Sequence, residues 1–146
     1  MSITSNVRQF IKSMNVLTTN KKVEWKLVSV IVNQSYALNP DLYDYIHKHK
    51  AVYATDRVHE LLEYESYFCE HSDGYIYIFT HVNYKTHNRY LVLGIQNDRY
   101  SGVVPVNLES EFQPELEDMK FLVANSRNNI ESLMDKIIFE ANEALE

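Results

Sequence analysis

The chain has 146 residues, 45% of them hydrophobic and 23% charged, with a formal net charge of −6. That length predicts one domain, residues 1–146, able to bury roughly 68–70% of its unfolded surface without help from a disulfide or a metal. A single cysteine, Cys69, excludes an internal disulfide framework, and no apolar run approaches the ~18–20 residues of a membrane span. The first six residues lack a basic and apolar leader, which together with the lone cysteine predicts a cytoplasmic setting. The charge is unevenly placed. Residues 1–50 carry seven basic and three acidic side chains, residues 51–100 four and seven, and residues 101–146 three and ten. An acidic C-terminal third discourages contact with phosphate backbones and favours a basic partner surface.

Val7, Phe10, Ile11, Met14 and Leu17 recur at helical spacing and predict a helix over Ser5–Leu17. The segment Lys21–Gln34 reads two ways. Val23 to Leu27 alternates like a strand, whereas Val23, Leu27, Val30, Ile31 and Gln34 form a helical stripe after a good cap at Asn20. Fourteen residues without Gly or Pro favour a buried helix, with Trp25 as a core or rim anchor. Asn39-Pro40 is a helix start with a mechanism, an Asn cap before Pro in the first turn, and predicts a helix over Pro40–His49 with Leu42, Tyr45 and Ile46 on one side. A further helix is expected over Asp56–Tyr64, burying Val58, Leu61 and Leu62.

From Ser66 the period changes to two. Tyr67-Phe68-Cys69 predicts a strand and Ser72-Asp73-Gly74 a turn into a hairpin spanning Gly74–Gln96. In that hairpin Ile76 and Ile78 share one face with Leu91, Leu93 and Ile95, leaving Tyr75, Tyr77, Phe79, His81 and Tyr90 on the other. Gly102–Asn107 predicts an edge strand because it carries Pro105. Glu109–Asp118 reads as an acidic loop around Pro114, and Lys120–Ala124 as a fifth strand. Ile130, Leu133, Met134, Ile137, Ile138, Ala141 and Leu145 mark a last amphipathic helix. The expected fold is α+β: N-terminal helices, a central antiparallel meander of about five strands, and a C-terminal helix packed on the aliphatic sheet face beside the first helix.

Catalytic signals are absent from the spacing. The six histidines include no pair at metal-ligand spacing on a helix, so no metal is expected. The three isolated glycines build no phosphate loop or dinucleotide fingerprint, so no cofactor is expected. Cys69 with His81 across the hairpin is the one conceivable nucleophile pair; a small core thiol is the ordinary alternative. Arg8, Lys12, Lys21, Lys22 and Lys26 cluster near the N-terminus, yet a pI of about 5.5 counts against nucleic acid as a partner.

Two features remain. One is the ring-bearing sheet face of Tyr75, Tyr77, Phe79, His81 and Tyr90. The other is the run Glu109, Glu111, Glu115, Glu117 and Asp118. Aromatic anchors with a charged rim match the anatomy of a protein interface. The expectation is therefore a non-enzymatic protein acting by stoichiometric contact with a basic partner surface, of the inhibitor, immunity or antidote type. The alternative is a small-ligand or nucleotide site in which the rings stack a base and Arg89 or His81 supplies the polar contact.

Overall fold

The computed structural model describes residues 3–32, 39–48, 59–127 and 130–145. In chain order the elements are α1 (Ile3–Thr19), β1 (Lys26–Leu27), α2 (Val28–Val32), α3 (Pro40–Lys48), β2 (His59–Leu61), a 3-10 turn (Glu63–Glu65), β3 (Tyr67–His71), β4 (Gly74–Asn83), β5 (Asn88–Gln96), β6 (Val104–Pro105), α4 (Gln113–Arg127) and α5 (Ile130–Ala144). The class is α+β with one antiparallel sheet and a C-terminal helix, as the patterning predicts.

The sheet runs β1-β3-β4-β5-β6, with β2 pairing β4 as well. The register is set by two turns. Ser72 and Asp73 both take positive φ, 49° and 68°, which is the backbone of a two-residue hairpin turn, and His71 then opposes Gly74. At the other end Asn83 Oδ1 accepts from the Lys85 and Thr86 amides and holds the four-residue connection to β5. β3 covers only the first half of the long strand β4. The second half is completed by β2, where Leu61 opposes His81 and His59 opposes Asn83. This is why His59–Leu61 is strand and not the expected helix: an open edge at His81–Asn83 would leave backbone donors and acceptors unpaired. Asp56 to Val58 of that expected helix lie outside the described residues.

Both faces of the sheet are covered. Val7, Ile11 and Met14 of α1 and Leu116, Met119 and Val123 of α4 pack with Ile78, Leu91 and Leu93 on the aliphatic face. Val28 of α2 and Leu42 and Ile46 of α3 pack with Phe68, Tyr77, Phe79 and Val92 on the aromatic face. The molecule is thus three layers deep. Lys120–Ala124, expected as a strand, lies inside α4. Leu116, Met119 and Val123 are spaced at three and four, and Pro114 sits in the first turn, where its missing N–H costs nothing. Lys21–Gln34 divides: Lys26–Leu27 pairs with β3, Val28–Val32 is helical, and Gln34 lies outside the described residues. Trp25 is core, and its Nε1 donates to Thr18 Oγ1 at 3.0 Å.

Local capping follows the chemistry read from the chain. The Leu42 amide donates to Asn39 Oδ1 at 3.1 Å, which caps α3. The end of α1 closes with the Lys22 amide on the Leu17 carbonyl at 2.8 Å, while Lys21 takes the left-handed conformation (φ 56°) that glycine more often fills. β6 is a two-residue edge, as Pro105 requires. Beyond it, side-chain amides replace a neighbouring strand. The Leu93 and Leu91 amides donate to Asn107 Oδ1 and Gln113 Oε1, both at 2.7 Å, and the Leu91 carbonyl accepts from Asn107 Nδ2 and Gln113 Nε2.

Candidate functional site

The aromatic face is core. Tyr77 and Phe79 are fully buried and His81 nearly so, which corrects the expectation of an accessible platform. Tyr45 of α3 stacks on Phe79 with ring centroids 4.8 Å apart, Tyr77 stacks on its other side at 4.9 Å, and His81 stacks on Tyr90 at 5.1 Å. Gly94 does leave room on this face, but the Phe79 ring occupies it: a Cβ there would come within 2.7 Å of that ring. Asn39, Tyr77 and Gln96 join their polar atoms in one buried network. Asn39 Nδ2 donates to Tyr77 Oη and Gln96 Oε1, Tyr77 Oη donates to Gln96 Oε1, and Gln96 Nε2 donates to the Ser101 carbonyl. Burial lifts the Tyr45 and Tyr77 phenols well above the ordinary tyrosine range. Only Tyr75 and Tyr90 at the ends of the ladder are partly exposed.

Arg89 does not join the rings. It pairs with Val82 on the aliphatic side of the sheet and forms an ion pair with Glu65 at 3.1 Å. A ring sandwiched on the tyrosines with Arg89 above it is therefore not a pose this fold offers. Cys69 and His81 are also separated, since Cys69 opposes Ile76 in the aliphatic layer and His81 points into the aromatic one. Burial pushes the Cys69 thiol up to about 12, which leaves almost no thiolate at neutral pH.

The acidic run is divided by the start of α4. Glu109 Oε1 accepts from Asn83 Nδ2 at 3.2 Å and its other oxygen lies 3.8 Å from His59 Nε2. Glu111 Oε1 accepts from the Leu108 amide at 2.8 Å. Glu115 stands in the first turn of α4, where the positive end of the helix dipole favours a carboxylate. Glu117 and Asp118 are exposed on the same helix. The expected single loop of mutually repelling charges is thus two partly satisfied sets.

What the chain leaves open lies elsewhere. α4 takes the place on the aliphatic face expected of the last helix. Every described α5 side chain is exposed, and Met134, Ile137, Ile138, Phe139 and Leu145 at its end are 56–86% exposed. These are the most apolar of the exposed side chains on that helix. A signal for their exposure was present in the chain. Ile137-Ile138-Phe139 puts apolar residues on more than one side of the helix.

Fold and surface together define a three-layer α+β architecture with a C-terminal helix whose described side chains are exposed. Neither a protein-family profile, a curated protein nor a solved structure matches the chain. Among the described residues no helix is long and apolar enough to cross a membrane, and no group of three His, Cys, Asp or Glu stands ready for a metal ion.

Proposed function

We propose that this is a non-enzymatic binding protein that acts by stoichiometric contact with another protein, and that α5 is the element it presents. One observation carries the reading: four successive apolar side chains of the α5 stripe and its outer flank, Met134, Ile137, Ile138 and Phe139, stand more than half exposed on a helix with no exposed basic residue in its last turn. The helix carries Glu131, Asp135, Glu140 and Glu143 against a single Lys136, and Glu117 and Asp118 lie exposed on α4 before it. The complementary partner offers an apolar groove with a lysine or arginine rim, the helix-in-groove mode of recognition. An inhibitor, an immunity protein or an antidote to a basic enzyme, working in the cytoplasm, has this chemistry.

The test is affinity capture from native cells with the unaltered chain and with an Ile137→Asp/Ile138→Asp variant as parallel baits. A protein held by the first and lost by the second supports the reading, and its association rate falls as salt rises. Recovery of the same proteins by both baits would remove α5 from the account. Reversal of Glu117 and Asp118 to Lys then measures what the α4 carboxylates add to the association rate.

A further inference from the structure

A surface with the chemistry α5 asks for exists on the chain itself. A groove of about 400 Å³ lies beside Trp25 and is lined by Val23, Lys21, Lys26, Glu24, Thr18 and Ser126. Lys21 and Lys26 are exposed in its lining, and Glu24 is the single carboxylate there, with none preceding it in the sequence. The groove therefore joins apolar walls from Val23 and Trp25 to a lysine rim.

Its position matters as much as its charge. Ser126 lies in its wall, and α5 begins four residues later at Ile130. The lysine groove is thus at the root of α5, while the carboxylates Glu140 and Glu143 are near its tip. Those two carboxylates sit at the negative end of the helix dipole, where a cation is favoured and where α5 has no basic residue. The tip wants positive charge, and the root supplies it.

We propose that a second copy of this chain is a partner of α5: two α5 helices pair antiparallel about a two-fold axis, stripe against stripe, and each acidic tip enters the lysine groove at the other's root. The inference rests on the reading of α5 as a contact element. The 15 residues of α5 span about 22 Å, which sets the separation of the two grooves. A parallel pair would bring the four tip carboxylates together, so charge selects the antiparallel arrangement. Each contact forms twice in such a pair, which moves a helix-sized patch toward the roughly 1,200–2,000 Å² of a stable interface.

Sedimentation velocity over a concentration series at low salt gives the first readout, and the expected result is a monomer–dimer equilibrium weakened by salt. Ile137→Asp/Ile138→Asp yields monomer. Lys21→Glu/Lys26→Glu raises the dissociation constant about tenfold, and adding Glu140→Lys/Glu143→Lys in the same chain restores it. Orientation is read by oxidation in a Cys69→Ala background. A chain carrying Lys26→Cys mixed with one carrying Glu143→Cys forms a disulfide between copies. Self-linkage of the Glu143→Cys chain alone would mean parallel helices and would overturn the proposal. So would a dimer indifferent to the Ile137/Ile138 change. A chain monomeric at every concentration, whose captured partner is still lost with Ile137→Asp/Ile138→Asp, would end the dimer and leave the protein-binding reading standing. A monomer with unchanged capture would end both.

Discussion

The ribbon Tyr75–His81 and the helix α5 are both rich in apolar residues, and they meet opposite fates. The ribbon's rings vanish under α2 and α3, whereas the described side chains of α5 stay in water. Apolar content does not separate them. What separates them is whether another element of the same chain is placed to cover the surface. The ribbon stands in the middle of a sheet with helices reaching both sides. α5 comes last, after α1 and α4 have already filled the aliphatic face. A buried apolar surface reports on folding, and an uncovered one reports on what the folded chain meets next.

The comparison is sharpened by changing each side of it. Phe79→Ala removes a ring stacked between Tyr45 and Tyr77, and the expected loss is about 3–5 kcal/mol in urea unfolding. A loss below about 1 kcal/mol would mean that the aromatic layer is looser than the stacking implies. Asn39→Ala comes next. It deletes the α3 cap, worth about 1 kcal/mol, and strips a partner from the buried Gln96 amide, which adds about 1–3 kcal/mol. Retention of the wild-type denaturation midpoint would contradict the buried network.

Alkaline titration tests the same layer without mutation. Above the ordinary range of cysteine and tyrosine the unfolded chain sheds protons that native Cys69, Tyr45 and Tyr77 retain. The native state then binds more protons, so stability falls as pH rises past about 9, by about 1.4 kcal/mol per pH unit for each such group. Lys120 acts in the opposite sense. Burial lowers its ammonium, which donates to Thr80 Oγ1 at 2.9 Å, so its contribution improves with rising pH. It is only half buried, and its share is the smaller. A denaturation midpoint that is flat from neutral to alkaline pH would argue against buried phenols. The smallest effect is expected on the open side of the comparison: Ile137→Asp leaves unfolding stability within about 0.5 kcal/mol. A large destabilisation there would show that α5 is held by its own chain.

Much of the architecture is legible residue by residue. Asn39-Pro40 announces the start of α3, Ser72-Asp73-Gly74 the turn, Pro105 the edge strand, and the Val7–Leu17 stripe α1, because each acts through neighbours one to four positions away. The errors share a cause. Phe121-Leu122-Val123 satisfies a strand pattern locally, yet the stripe Leu116–Met119–Val123 found a sheet to cover and made a helix. His59–Leu61 satisfies a helical stripe, yet the unpaired second half of β4 made it a strand. The candidate surface was displaced for the same reason. Alternation along β4 separates rings from aliphatics, but both are apolar, so a run with no charge between Gly74 and Asn83 signals burial on two sides rather than one.

By itself, then, the chain determined its class, several of its turns and caps, and the apolar stripes of α1, α3 and α5, since these depend on backbone preference and on side-chain periodicity over a few residues. Only the tertiary structure decided which stripe was spent inside and which was left outside. Helices compete for a limited area of sheet, and the winner depends on where the chain can bring each one, which no local pattern records.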